Sequence, residues 1–301
     1  MPKRGVIFAS DERLYYCGLF LQEKGYEVQI VRTPEEWIPE KVRVSDLDFV
    51  FLPIRGTEDG SIQMNGTRMD LLPLLEGLKP EAKVLAGLWS DYVRFLPCSF
   101  VCYQEDLEFA AKNSLLTAEG VLHLLLRKTP KSLFSYTYDV VGGGRVGTAV
   151  CDLLRRLGLS VRLISHSGRK GAVPLEEWQN AGRPSDVVVN TATAPVITEA
   201  FVRTWSGSAP SGVPGPAPGT FPGPASGTIS GPVFRPASGP APGPVRVFDL
   251  SSRMAGTEPA ARTHENIIYI AAPPLPGLVA PESAGQLLAE AFLRSEEEVS
   301  E

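Results

Sequence analysis

The residues with the clearest chemical reading are Gly142-Gly143-Gly144-Arg145-Val146-Gly147, a G-x-G-x-x-G run. The apolar run YTYDVV (Tyr136–Val141) precedes it, a helical pattern over Thr148–Leu157 follows, and a second apolar run, VRLIS (Val161–Ser165), comes after Gly158. That order is a dinucleotide-binding βαβ unit. In such a unit Gly142 permits the tight turn, Gly144 lets backbone approach a diphosphate, and Gly147 lets helix and strand lie close. The diphosphate then rests on the helix N-terminus at Arg145 and Val146, where unpaired N–H groups and the helix dipole favour an anion. The alternative is a glycine-rich turn in a domain without a ligand.

The end of the second strand speaks to which dinucleotide. A carboxylate there would hold the ribose 2′-OH of NAD. This chain has Ser165-His166-Ser167-Gly168-Arg169-Lys170 instead. Hydroxyls and cations without an acid suit a 2′-phosphate, so Ser165, His166, Ser167 and Arg169 point to NADP ahead of NAD. A solvated basic loop is the bland reading. Other chemistry is sparse. The chain has three histidines, His123, His166 and His264, and no His–carboxylate or Ser–His spacing emerges among them. Cys98 and Cys102 have neither a second cysteine pair nor a nearby histidine, so no metal site is expected.

These residues need a scaffold. Apolar runs at Arg4–Ala9, Tyr26–Val31, Leu47–Ile54, Ala82–Leu88 and Cys98–Tyr103 alternate with helical patterns at Leu14–Leu21 and Met69–Leu78. Such alternation predicts a parallel sheet with helices on both faces. A linking helix, Leu115–Lys128, follows, with Thr117 as its N-cap. Further strands at Asp186–Ala192, Val245–Ser251 and Ile267–Ala272 and a closing helix at Glu282–Arg294 extend the second alternation. The fold class is therefore α/β, with two Rossmann-like doubly wound domains and a cleft between them. The expected boundaries are 1–115 for the first domain, 116–130 for the linking helix, 131–205 with 245–295 for the nucleotide domain, and 296–301 for an acidic tail.

Between the two segments of the nucleotide domain lies Ser206–Pro244, 39 residues with 11 Pro and 9 Gly. So few backbone donors and buryable side chains cannot offset ordering entropy, which predicts a disordered insert. Insertion is tolerable because loop closure costs rise slowly with length.

Composition narrows the partners. With 29 basic and 34 acidic residues the net charge is −5. Without a basic stripe a nucleic-acid partner is not expected. No apolar run reaches the roughly 18–20 residues that cross a bilayer, so no membrane association is expected either. The apolar stretch at the start is too short for a signal peptide, and few cysteines fit reduced thiols in a cytoplasmic protein.

Several longer motifs add a resemblance. NSLLTAEG (Asn113–Gly120), VVGGGRVGTAV (Val141–Val150), DLSSRMAGTE (Asp249–Glu258) and PLPGLVAPESAGQLLA (Pro274–Ala289) occur in the order and spacing of the dipicolinate synthase A subunits. SDER (Ser10–Arg13) and LPIRGTEDG (Leu52–Gly60) are similar to that family's N-terminal motifs. The resemblance covers nearly the whole chain outside the Pro/Gly insert. It implies oxidation of a dihydrodipicolinate-type intermediate of the lysine pathway to dipicolinate, with NADP as hydride acceptor. It also implies the flavoprotein-like B subunit of dipicolinate synthase as partner and the mother cell of a sporulating bacterium as location, and leaves homo-oligomerisation open.

A small dicarboxylate substrate calls for cations or N–H groups. Arg253, beyond the strand Val245–Ser251, and Arg55, at the end of a first-domain strand, are the candidate carboxylate partners. Asn190 and Thr191 are expected to meet the nicotinamide ribose. Asn113, Thr117 and Glu119 are expected to line the cleft, Glu119 as candidate acid/base, and Pro276-Gly277 to shape a loop beside the nicotinamide. Two alternatives stand beside this reading. One is another two-domain NAD(P)-dependent dehydrogenase, of the 2-hydroxy-acid or alanine type. The other is a non-catalytic NADP-binding assembly protein.

Overall fold

The computed structural model describes residues 2–166, 171–205, 243–251 and 256–297. The chain divides into two compact units, Met1–Leu116 with Pro276–Glu301, and Thr117–Leu275.

The first unit opens with β1 (Arg4–Phe8), α1 (Glu12–Glu23), β2 (Glu27–Val31) and β3 (Phe49–Phe51). It continues through β4 (Ser61–Met64), β5 (Thr67–Asp70), α2 (Leu72–Glu76), β6 (Lys83–Ala86) and β7 (Ser99–Cys102). Among the described residues, five of these strands form a parallel sheet in the order β2-β1-β3-β6-β7. Side-chain alternation splits its core in two. Val6, Phe8, Val50 and Val84 face Leu74 and Leu75, while Ile7, Phe49, Phe51 and Leu85 face Leu14, Cys17 and Leu21 of α1. Strands covered on both faces have to be apolar throughout, which is why these runs are legible in the sequence.

Two first-unit expectations are corrected. The helix expected over Met69–Leu78 is only α2; Met69 and Asp70 belong to the antiparallel hairpin β4–β5. Asn65 (φ 50°) and Gly66 (φ 81°) make its two-residue turn, the conformation that an Asn-Gly pair favours. The apolar spacing of Met69, Leu71, Leu74, Leu75 and Leu78 imitates a helix, but the turn takes precedence. The linking helix also starts earlier. It is α3 (Leu107–Lys128), and the Asp106 carboxylate accepts a hydrogen bond from the Phe109 amide at 2.8 Å. Thr117 therefore sits inside the helix rather than capping it.

The second unit contains β8 (Thr137–Val141), α4 (Arg145–Arg156), β9 (Ser160–Ser165), β10 (Val173–Pro174), α5 (Leu175–Asn180) and β11 (Val187–Asn190). Then come α6 (Glu199–Arg203), β12 (Val245–Asp249), α7 (Pro259–Arg262) and β13 (Ile267–Ala271). Its described strands form a parallel sheet ordered β10-β9-β8-β11-β12-β13, the strand order of the Rossmann fold. A buried carboxylate pins its start. Asp139 accepts two bonds from the Arg162 guanidinium (2.8 and 2.9 Å), one from the Trp178 indole (2.8 Å), and both the amide and hydroxyl of Ser185 (2.8 and 2.9 Å).

The expected disordered insert lies, from 206 to 242, outside the described residues. Its described flanks are tied together: one guanidinium, Arg183, donates to the carbonyls of both Trp205 (3.4 Å) and Gly243 (2.5 Å).

The chain ends with α8 (Leu275–Val279) and α9 (Pro281–Glu297). Against the expectation from chain order, α9 packs in the first unit. A Cβ at Gly285 would lie 2.6 Å from the Arg13 carbonyl oxygen of α1, so only glycine allows that approach. Phe292 is fully buried with its ring centroid 4.5 Å from that of Phe49, and burying such a ring contributes about 1.5–3 kcal/mol. The acidic tail from 298 lies outside the described residues.

Candidate functional site

The Gly142 turn is built as its glycines require. Gly142 adopts φ +117°, and its amide donates to Ile164 of the neighbouring strand at 2.9 Å. A Cβ there would lie 2.2 Å from Thr191 Oγ1. A Cβ at Gly147 would lie 1.8 Å from the Gly142 carbonyl oxygen. Gly144, exposed, is the N-cap of α4 and brings no side-chain oxygen to the first turn. A Cβ at Gly144 would meet none of the described residues within 4 Å. The first-turn amides of α4, Arg145 and Val146 among them, have no intrahelical acceptor, and the N-cap makes no side-chain hydrogen bond to them. This arrangement can receive an anion, with the helix dipole in its favour.

Ser165 is buried at the end of β9, with its Cβ 2.8 Å from where a Gly143 Cβ would stand. His166 is exposed. Ser167, Arg169 and Arg253 lie outside the described residues.

Asn190 and Thr191, the expected ribose contacts, make hydrogen bonds within the protein. Asn190 is fully buried. Its amide donates to Asp249 Oδ1 (3.3 Å) and accepts from the Ala192 amide (3.1 Å). A Cβ at Gly256 would lie 2.0 Å from its Nδ2, so the group is enclosed by protein. Thr191 Oγ1 donates to the Val141 carbonyl at 2.9 Å and braces the glycine turn. Asp249, which sequence reasoning missed, is the hub of this rim. It accepts from the Ser251 amide (3.0 Å) and from the Tyr269 hydroxyl (3.3 Å) as well. Burial, followed by the Asp249 charge, pushes the Tyr269 phenol up, so that it remains a donor. An acid closing the mostly apolar strand VRVFD was the available signal.

The other expected residues are spread over both units. Arg55 is exposed in the turn after β3. Asn113 and Thr117 are half-buried on α3, and Glu119 is exposed on the same helix. Pro276 and Gly277 form part of α8 rather than a loop, because the run LPGLV closes a helical turn. Sequence reasoning also missed Arg13. It is buried in the first turn of α1, with Nε and Nη2 bonded to the Asp11 carboxylate at 3.2 and 2.7 Å. Its signal was the SDER motif. Among the described residues no group of three or more His, Cys, Asp or Glu side chains could hold a metal. No described helix is long and apolar enough to cross a membrane.

Comparison with known proteins places this architecture. No family model matches the chain. The dipicolinate synthase A subunit of Bacillus subtilis is 23% identical over 267 residues, 83% of this chain and 78% of the relative. The crystal structure of the dipicolinate synthase A subunit from Bacillus halodurans superposes with a TM-score of 0.75 at 21% identity, covering 97% of both chains. The crystal structure of the Bacillus subtilis protein gives 0.73 at 18%, covering 100% of this chain and 98% of the other. The likeness read from scattered motifs thus extends over most of the chain in sequence and nearly all of it in fold: this protein is similar to the A subunits of dipicolinate synthase.

Proposed function

We propose that the chain is an NADP-dependent oxidoreductase that converts a dihydrodipicolinate-type intermediate to dipicolinate, pyridine-2,6-dicarboxylate. In this reading it is the A component of a dipicolinate synthase and acts beside a flavoprotein-like B component, in the cytoplasm of the mother cell of a sporulating bacterium. The observation that carries the proposal is the uncapped N-terminus of α4. Its amides follow a turn with no room for a side chain at Gly142 or Gly147, at the carboxyl end of β8, where the strand order of the second sheet reverses. Ligands of doubly wound sheets bind at that switch point. Ser165 and His166 border it without an acid, which supports NADP over NAD.

A bound nicotinamide supplies the hydride acceptor. The work of the chain is positioning, which can contribute several kcal/mol. The α4 amides and the Thr191-braced turn hold the diphosphate. Arg55 and Arg253 are proposed as partners of the two substrate carboxylates, and Asn113, Thr117, Pro276 and Gly277 as substrate contacts. Glu119, or water, takes the proton that leaves as the ring becomes aromatic.

The test is a calorimetric titration with NADP+ and NAD+, followed by incubation with freshly generated dihydrodipicolinate, with and without the B component, while reduced nicotinamide is followed by absorbance. Tight NADP+ binding and turnover are expected. Absence of heat with both nucleotides would end the proposal, and turnover of 2-hydroxy acids instead would redirect it.

A further inference from the structure

We infer that Arg13 is the anchor for a carboxylate of the substrate, in a site at the carboxyl edge of the first sheet; this deepens the proposed function and rests on it for the substrate class. The first sheet has its own switch point. In the order β2-β1-β3-β6-β7 the chain reverses direction between β1 and β3, and the crevice outside their carboxyl ends is where such sheets take ligands. Arg13 stands just beyond β1.

Its placement is costly without a ligand. A cation in the first turn of a helix opposes the dipole, and this side chain is only 10% exposed. Asp11 offsets part of that cost and is itself divided: it caps the amides of Arg13 (3.0 Å) and Leu14 (3.4 Å) while bonding one edge of the guanidinium. The other edge is left. Among the described residues Nη1 of Arg13 makes no hydrogen bond. A guanidinium held rigidly on one edge, with the other unspent, suits a planar carboxylate.

Two further observations point to the same place. A Cβ at Gly277 would lie 2.8 Å from Arg13 Nε, so the glycine of the PLPG motif is what leaves the guanidinium its position. Near the other edge of the sheet, beyond β7, Tyr103 is 2% exposed and its hydroxyl has no hydrogen-bond partner among the described residues. Burial pushes this phenol up, and the Arg13 charge acts on it in the opposite sense. It is a neutral donor close enough to feel the same cation. The SDER and PLPG motifs, from opposite ends of the chain, thus meet at one side chain.

The experiment titrates pyridine-2,6-dicarboxylate into the intact chain loaded with NADP+, by calorimetry, for wild type, Arg13→Gln, Arg13→Lys and Gly277→Ala. Arg13→Gln is expected to weaken the dicarboxylate at least about tenfold, the loss typical of removing a charged hydrogen-bond donor. Arg13→Lys should fall between. Gly277→Ala, which keeps every charge and places a methyl group 2.8 Å from Arg13 Nε, should weaken it as well. The NADP+ affinity should stay at the wild-type value in all three. An unchanged dicarboxylate affinity in folded Arg13→Gln or in Gly277→Ala would overturn the inference, as would a wild-type chain that binds NADP+ but no dicarboxylate. A wild-type chain that binds the dicarboxylate through Arg13 but no nucleotide would refute the proposed function and leave the anchor standing.

Discussion

The two sheets open in the same way and then part company. In each, a buried strand leads through a short turn into a helix, β1 to α1 and β8 to α4. At α1 the N-cap is Asp11, whose carboxylate takes the amides of Arg13 and Leu14. At α4 it is Gly144, which takes none. A phosphate needs free amides and no competing negative charge. The first helix start is filled by its own side chain and the second has no side-chain cap. The same topological position therefore carries an uncapped helix start in the second unit and, in the first, a carboxylate that steadies a cation. Architecture supplies the position, and the capping residue decides what the position can bind.

The comparison can be broken at several points. The largest effect is expected from Gly147→Ala. Its Cβ would stand 1.8 Å from a backbone oxygen, a clash no rotamer relieves, so a loss of about 3 kcal/mol in denaturant unfolding is expected, with nucleotide binding lost too. Gly144→Asp asks the sharper question, because it gives α4 the cap of α1. No described residue lies within 4 Å of the new Cβ, and the cap backbone is extended (φ −79°, ψ −174°). The melting temperature should hold or rise slightly, while NADP+ affinity falls at least about a hundredfold, roughly 2.7 kcal/mol. Retained affinity would show that the turn is not the diphosphate site.

The reciprocal change, Asp11→Ala, should cost about 1 kcal/mol of stability as a lost N-cap and leave NADP+ affinity untouched; a nucleotide effect would contradict the division of labour. The smallest effect is expected from replacing 206–242 with a short Gly/Ser linker. Arg183 already joins its flanks, and closure entropy changes by only about 0.6 kcal/mol per halving of loop length, so thermal unfolding should barely move. A large loss would mean the insert is part of the packed unit.

Much of this was legible from residue order. The central strands are apolar on both faces, so Arg4–Phe8 and Val187–Asn190 announced themselves. The glycine fingerprint announced its turn. Other features were hidden for identifiable reasons. Met69–Leu78 carries helical spacing, yet Asn65-Gly66 folds its start into a hairpin. Asn190 ends a strand as a ribose-binding residue would, but only packing shows that Asp249 and Ala192 have already engaged its amide. The closing helix follows the second sheet in the chain and packs in the first unit, because the small Gly285 matches a gap on α1.

What the amino-acid order determined by itself is the glycine turn after β8. Its demands, a positive φ at Gly142 and a missing Cβ at Gly147, arise within one short run of glycines and are met by residue type alone. What only the tertiary structure decided is the environment of Arg13. Its cap is local, but the glycine that makes room for it and the helix that packs behind it come from the far end of the chain. Contacts at that separation depend on how whole elements dock, which no local pattern encodes.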